Sequence, residues 1–367
     1  MSFVSKAKSL AREIRANLGL GEPDKNPPRE LVEELIRATE IKPTYTPSGG
    51  IPSLRRKLAE WFSERYNTEI SEREVMVTPS GKAALYLSLL YFSKGEVVLT
   101  DPTYYSYEPV VESLGRPVRK VPLVRSGVGY SFPEDLSALV PSKGLTVVNS
   151  PSNPTGSVLG DGMFDLVERA WERKSYVVSD EPYDVFVYNG KHVSFLSTPK
   201  WRETGAFVYS FSKILCIPGW RLGAIVAKED VIKKLISVAS NVYGCPCKWE
   251  QIALERILEQ PDVIERHVND MVSEYAKRRE EVISVLKRIS DFPGVGDGSF
   301  YAFPDFGVDS EELALQAAKE GVISIPGKVF SEKYGKTSLR ISFSAPPAEL
   351  KYGLEVLGSL ARGLKGH

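Results

Sequence analysis

The sequence predicts an α/β protein, with a large domain whose mostly parallel sheet is flanked by helices and a smaller α+β domain. Three observations predict it. Between residues 75 and 227, short apolar runs of strand length alternate with amphipathic stretches of helix length, as in crossover-connected parallel strands. A long charged stretch with helical spacing follows, and beyond it the pattern changes to short strands around one helix. At 367 residues, the chain is long enough for one large core and a second, smaller one.

Taken in order, residues 4–15 read as a short amphipathic helix, and residues 17–24 as a loop punctuated by Gly19, Gly21 and Pro23. A helix is expected over residues 51–65. Strands are expected at 75–78, 96–100, 145–149, 176–179, 206–209 and 224–227, with helices at 83–92 and 163–173 between them. Residues 261–287 form a charged amphipathic helix suited to connect two domains. The tail continues with an apolar segment at 298–303, a helix over 311–320, a strand ending at Pro326 and Gly327, and a strand at 339–343. On this reading residues 1–45 join the small domain, 46–262 form the large domain and 263–367 complete the small one.

Composition narrows the function. Lys and Arg total 47, as do Asp and Glu, so no net field favours nucleic acid or an anionic membrane surface, and a small-molecule partner is expected instead. No apolar run approaches the length of a membrane span. Cys216, Cys245 and Cys247 are odd in number and no signal peptide is evident, so a reducing cytoplasm is the expectation. The histidines, His192, His267 and His367, are isolated from one another and from any cysteine pair at zinc-ligand spacing, so no metal site is expected. Their scarcity also removes the usual Ser-His and Cys-His nucleophile pairs. An enzyme of this composition takes its difficult chemistry from a cofactor.

Ligands of such sheets bind beyond the carboxyl ends of the strands, so the residues that follow each run carry the functional reading. Thr78-Pro79-Ser80-Gly81-Lys82 opens a helix, where free N–H groups can cradle a phosphate; Ser80 can equally be a plain N-cap. Ser210-Phe211-Ser212-Lys213, with Pro218-Gly219-Trp220-Arg221-Leu222-Gly223 after it, supplies hydroxyls and an arginine for a dianionic phosphate and an amine for an aldehyde. Asp180 and Tyr183, in Ser179-Asp180-Glu181-Pro182-Tyr183, set a carboxylate and a phenol at the sheet edge. A fixed aspartate can keep a pyridine nitrogen protonated, although a turn cap is an equal reading.

In Asn149-Ser150-Pro151-Ser152-Asn153-Pro154-Thr155-Gly156, two prolines and a glycine fix a loop from which the Asn153 amide can donate to a phenolic oxygen. Tyr104, in Asp101-Pro102-Thr103-Tyr104-Tyr105-Ser106-Tyr107, offers a face to a flat heterocycle or a side chain to the core. Arg340 alternates with Leu339 and Ile341. It either faces solvent, as lone strand arginines usually do, or clamps a carboxylate with two hydrogen bonds.

Together these motifs, in this order from Asn17 to Phe343, resemble the fold-type I pyridoxal-phosphate aminotransferases of class I and II, the group that includes aspartate aminotransferases. The resemblance implies the pyridoxal-phosphate-dependent transferase fold, with pyridoxal 5′-phosphate as a Schiff base on Lys213. It makes Asp180 the partner of the pyridine nitrogen, Asn153 and Tyr183 the donors to the phenolic oxygen, and Tyr104 the stacking aromatic. It assigns the phosphate to Ser80, Gly81, Lys82, Ser210 and Arg221, and to Tyr45 reaching across from the other subunit. Arg340 then clamps the substrate α-carboxylate, with Asn153 and the Gly21 backbone nearby. Tyr45, Gly50, Leu54 and Arg55 are similar to the family's Tyr-x-x-x-x-Gly-x-x-x-Leu-Arg signature, which implies a homodimer with shared sites. Lys213 is both anchor and acid-base group, and an amino acid and a 2-oxo acid are the two substrates.

Lys82 is similar to the lysine that thermophilic-bacterial aspartate aminotransferases direct at the distal carboxylate of acidic substrates; Ile236 stands where the animal and enteric subgroup has an arginine. The resemblance therefore favours aspartate or another acidic substrate, with 2-oxoglutarate as a typical acceptor. Aromatic or apolar amino acids, and carbon-sulfur β-lyase chemistry on the same anchors, are the alternatives. Residues 241–247, with Cys245-Pro246-Cys247, depart from the Ser-rich loop that relatives place near the neighbouring site. A transcription regulator on the same scaffold is disfavoured, because the chain shows no basic DNA-binding segment.

Overall fold

The computed structural model describes residues 9–11 and 13–366. Half of the residues of the helix expected over 4–15 lie outside the described residues, and of the rest Ser9 and Leu10 are helical. Residues 13–15 are not helical and run into strand β1 (Ala16–Asn17). Next in the chain are β2 (Val75–Thr78), β3 (Val97–Asp101) and β4 (Val118–Pro122), then the hairpin β5 (Val124–Ser126) and β6 (Gly129–Ser131). β7 (Leu145–Asn149), β8 (Tyr176–Asp180), β9 (Gly205–Ser210) and β10 (Gly223–Ala227) follow.

Seven of these strands form one sheet in the order β2, β10, β9, β8, β7, β3, β4. All neighbours from β9 to β4 are parallel, while β10 runs against both β2 and β9. The sheet is thus mixed through one strand. Composition could not reveal the reversal, because β10 is buried along its whole length like its parallel neighbours. Its cause is the connection: residues 211–222 hold only a four-residue helix, Phe211–Ile214, so the chain turns back beside β9 instead of crossing over. Edge strand β4 escaped the sequence reading because two of its five residues, Arg119 and Lys120, are charged and only Val121 is buried.

Helices cover both faces. Those of the large sheet are α1 (Arg29–Thr39), α2 (Pro52–Tyr66), α3 (Gly81–Phe92), α4 (Tyr107–Ser113), α5 (Gly162–Glu172), α6 (Glu229–Val242) and α7 (Lys248–Ile257). Strand side chains alternate between two apolar clusters, as a pleated strand requires. Val75, Val77, Phe207, Tyr209, Ala224 and Val226 pack under Leu54, Leu58 and Phe62 of α2. Met76, Ala206, Val208, Ile225 and Ala227 pack under Leu85 and Leu89 of α3 and Leu235 of α6.

A third cluster lies on α8 (Pro261–Ile289), β11 (Tyr301–Ala302), α9 (Ser310–Lys319), β12 (Val322–Ile323), β14 (Leu339–Ser342) and α10 (Pro347–Lys365), with β13 (Ile325–Pro326) between β12 and β14 in the chain. β11, β14 and β13 make an antiparallel sheet. β1 pairs in parallel with β12, and the Ser342 amide donates to the Leu18 carbonyl at 2.7 Å, so the two ends of the described chain lie together. No helix among the described residues is long and apolar enough to cross a membrane.

Beneath the sheet edge, Asp184 ties α2 to β9. Its carboxylate accepts from Arg65 Nε at 2.8 Å, Tyr66 Oη at 2.7 Å and Tyr209 Oη at 3.0 Å. Removing the acceptor strands a largely buried guanidinium and two phenols. Asp184→Ala is therefore expected to destabilise the fold by about 3 kcal/mol or more, read as a lowered midpoint in urea unfolding.

Candidate active site

The reversal of β10 builds one end of the site. Gly223 pairs with Ser210 on one side and Thr78 on the other, which brings the ends of β2 and β9 and the start of β10 to one edge. A Cβ on Gly81 would lie 2.8 Å from the Ser210 Cβ, and one on Gly223 would lie 2.5 Å from the Gly81 nitrogen. The N-terminus of α3 is therefore seated directly on Ser210. Ser80 adopts φ +133°, and its hydroxyl accepts from Ala83 N at 3.1 Å. It is thus an N-cap, and Gly81 and Lys82, which follow it in the first turn of α3 and whose N–H groups have no intrahelical acceptor, line the cavity. Arg221, at φ +60°, borders the same space and donates to the Pro218 carbonyl at 2.7 Å.

Lys213 lies on the four-residue helix after β9, and its Nζ donates to the Gly21 carbonyl. Loss of water lowers its pKa to about 8; Arg340 and Arg221 act in the same direction, against Glu22 and Asp180. Asp180 ends β8, and enclosure pushes its carboxyl up to about 7, opposed by a hydrogen bond from Tyr107 and by Lys213. The Tyr107 hydroxyl donates to Asp180 Oδ2 at 2.7 Å. Asn149 fixes both neighbouring strand ends: its Nδ2 donates to the Asp180 carbonyl at 2.8 Å and its Oδ1 accepts from Asn153 N at 2.7 Å.

Asn153 and Arg340 meet on the far side. Arg340 is 3% exposed, which settles its direction: it points inward. Its Nη2 donates to the Gly19 carbonyl at 2.6 Å and its Nη1 to Asn153 Oδ1 at 3.4 Å. Its guanidinium sits 4.8 Å from the Tyr301 ring centre and 5.2 Å from that of Phe330, while its buried Nε has no partner among the described residues. Asn153 Nδ2 lies 3.5 Å from Tyr183 Oη, which is 3.1 Å from Tyr301 Oη. At Gly21 a Cβ would come within 3.9 Å of the Arg340 Nη atoms.

All the predicted residues except Tyr45 line one cavity of about 520 Å³. Tyr45 is 95% exposed and stands away from it on this chain. Lys82 Nζ lies 5.9 Å and 5.6 Å from the ring centres of Tyr104 and Tyr105. Among the described residues, no group of three or more His, Cys, Asp or Glu could hold a metal ion.

Sequence reading missed the parts played by Asn149, Tyr107, Tyr301 and Gln251. Asn149 and Tyr107 stood within quoted motifs, where strand-end position and a three-residue offset from Tyr104 were the available signals. Gln251 carried none: it is fully buried, its Oε1 accepts from Ile51 N at 2.9 Å, and its Nε2 donates to Thr46 Oγ1 at 3.1 Å and to the Pro246 carbonyl at 3.0 Å. It thereby fixes the Cys245-Pro246-Cys247 loop to the segment that bears Tyr45.

Comparison with known proteins agrees with this geometry. The model of the family described as Aminotransferase class I and II matches residues 13–357. An aspartate aminotransferase of Sulfolobus acidocaldarius is 39% identical over 92% of this chain and 88% of its own length. An aromatic-amino-acid aminotransferase of Thermococcus litoralis is 30% identical over 96% of this chain and 94% of its own. Among solved structures, an aspartate aminotransferase mutant of Thermus thermophilus superposes with a TM-score of 0.89 at 27% identity, covering 98% of this chain and 97% of that one. With a matched span that reaches from the strand beside Gly19 and Gly21 to the helix beyond Arg340, the chain belongs to the class I and II aminotransferases and is a transaminase.

Proposed function

We propose that this transaminase moves the amino group of aspartate or another acidic amino acid to a 2-oxo acid such as 2-oxoglutarate, with pyridoxal 5′-phosphate held on Lys213. The observation that carries the reading is the convergence of Lys213, Asp180 and Arg340 on one cavity, three charged groups drawn from β8, the β9 end and β14. The donor set fits that cofactor. The α3 N-terminus, Ser210 and Arg221 suit its phosphate, Asn153 and Tyr183 its phenolic oxygen, Asp180 its ring nitrogen and Tyr104 its ring face. The missing Cβ at Gly81 lets the α3 N-terminus sit against Ser210, beside which the phosphate would rest.

When bound, pyridoxal phosphate supplies an electron sink that lets the Cα–H bond of an attached amino acid ionise. The protein does the rest. Arg340 binds the substrate α-carboxylate, since its Nε is unpaired and its Nη contacts to Gly19 and Asn153 hold the fork in place. The Lys213 amine, lowered to about 8 by burial, is free to accept a proton from the substrate Cα in a fraction of molecules that grows as pH rises past neutral, and can return it one position away, at the carbon that carried the aldehyde. Asp180 holds the ring-nitrogen proton, and Tyr183 and Asn153 orient the opposite edge.

Lys82 supports an acidic substrate. Its ammonium faces the cavity beside two tyrosine rings and has no carboxylate partner among the described residues. A second reading, aromatic amino acids, is favoured by the apolar wall of Leu20, Tyr105, Ile325 and Val329. The exposure of Tyr45, on a segment fixed by Gln251, supports a homodimer in which that phenol completes the partner's phosphate site. Separate apolar clusters support a large and a small domain, with Ala16 and Leu18 joining the small one; Leu31 on α1 packs with the large domain, so the segment that joins the small domain is shorter than residues 1–45. Three free thiols suit a cytoplasmic location.

Lys213→Ala should lose both the absorbance of the bound aldehyde and amino-group exchange with 2-oxoglutarate by several orders of magnitude. Pyruvate and ammonia released without an acceptor would instead identify a β-lyase. Lys82→Leu is expected to lower kcat/KM for aspartate on the order of tenfold or more, as for one lost ion pair with a desolvated carboxylate, and to leave phenylalanine nearly unchanged. Asp180 gives a pH test. Its folded pKa is raised, so the cofactor-free protein loses stability as pH rises through about 4 to 7, the range in which the unfolded chain ionises this carboxyl while the fold keeps it protonated. Cofactor-free Asp180→Asn should therefore melt higher than wild type by a margin that grows from pH 5 to pH 8, and the variant supplied with cofactor should be inactive at both.

A further inference from the structure

Asp180 has two carboxylate oxygens, and the structure treats them differently. Oδ2 accepts from the Tyr107 hydroxyl at 2.7 Å, the short range of a charge-assisted O–H···O bond. Among the described residues no other side chain donates a hydrogen bond to that carboxylate. Tyr107 is 1% exposed, begins α4, and packs with Val111, Val97 and Leu99 in the apolar cluster on that face. Its ring meets Tyr104 edge-on, with centres 5.4 Å apart at 78°. One short segment thus carries both the aromatic that faces the cavity and the donor that fixes the carboxylate at its floor.

We propose that Tyr107 is a positioning residue for transamination, whose hydroxyl occupies one oxygen of Asp180 so that the other is held, still negatively charged, against the protonated ring nitrogen of the cofactor. The inference rests on the pyridoxal-phosphate reading above.

The chemistry of the donor supports it. Enclosure raises the proton affinity of Asp180, and Glu181 beside it acts in the same direction, so the carboxylate needs help to stay ionised. Lys213 helps from across the cavity, but its charge changes during the reaction. An arginine or lysine bonded directly to Asp180 would help more, but would neutralise the carboxylate and weaken its hold on a ring N–H⁺. A phenol gives one strong hydrogen bond and no charge. Burial and the Asp180 charge both raise the Tyr107 pKa, so the phenol keeps its proton and stays a donor throughout the working pH range. Tyr107 also fixes the tilt of Tyr104 through the ring contact, which Tyr107→Phe would preserve while removing the hydroxyl alone.

The test compares wild-type and Tyr107→Phe holoenzyme. Three readouts are expected to move: the dissociation constant of pyridoxamine phosphate, rising on the order of tenfold for one lost hydrogen bond to a charged group; the ¹⁵N shift of the bound ring nitrogen, moving toward its unprotonated value; and kcat, falling while KM for both substrates changes little. In the Asp180→Asn background, Tyr107→Phe should cause almost no further change in pyridoxamine phosphate binding. Wild-type binding and wild-type ¹⁵N shift in Tyr107→Phe would overturn the proposal, even if the melting temperature falls, because a purely structural phenol affects only the latter. Should Tyr107→Phe not accumulate folded, 3-fluorotyrosine in place of Tyr107 gives a stronger donor, and tighter pyridoxamine phosphate binding is then expected; unchanged binding refutes the role. Failure of the wild-type protein to bind the cofactor would refute the functional reading itself, and is seen before any variant is made.

Discussion

The ends of β2, β9 and β10 approach so closely that a methyl group on Gly223 would sit 2.5 Å from the Gly81 nitrogen. That contact seats the N-terminus of α3 on Ser210 and fixes where an anion can rest. It exists because β10 runs back between β2 and β9, with Gly223 paired to both Thr78 and Ser210. The antiparallel strand in a mostly parallel sheet is thus the element that gathers motifs lying well over a hundred residues apart in the chain. Backbone strain accompanies the gathering: Ser80 and Arg221, at this same end, both hold positive φ.

From that fixed end, the rest of the cavity follows the neighbouring strands. β8 delivers Asp180 and β7 delivers Asn149, whose single amide braces the Asp180 and Asn153 backbones together. Water is scarce there, and scarcity acts on the two central groups in opposite chemical senses. It lowers the Lys213 amine to about 8 and raises the Asp180 carboxyl to about 7, so both are drawn toward neutrality at physiological pH. A cationic ring nitrogen beside Asp180 would restore its charge. The cofactor-free protein therefore carries an electrostatic cost that pyridoxal phosphate is suited to relieve.

The opposite wall comes from the chain's two ends. Gly19 and Gly21 lie beside β1, and Arg340 lies on β14; the pairing of β1 with β12 and of Leu18 with Ser342 brings them together. Arg340 is held among Gly19, Asn153, Tyr301 and Phe330, and Asn153 joins it to the β7 loop. In the proposed function, carboxylate recognition and ring-edge recognition would consequently share Asn153, which contacts both Arg340 and Tyr183.

Every strand of the large sheet except the edge strand β4 was legible in sequence because each is a short buried apolar run, and the site motifs were legible because they follow those runs. Helices α1, α6, α7 and α10 were not, since their apolar faces mean little before the surface that they cover is known. By itself the sequence determined which functional groups the strands carry at or near their ends: an amine, a carboxylate, a glycine-bearing helix start and a guanidinium, each set by residue type. Only the tertiary structure decided the direction of β10, the inward aim of Arg340 and the attachment of Tyr107 to Asp180. Those depend on pairings between distant segments, and a strand buried on both faces has the same composition whichever way it runs.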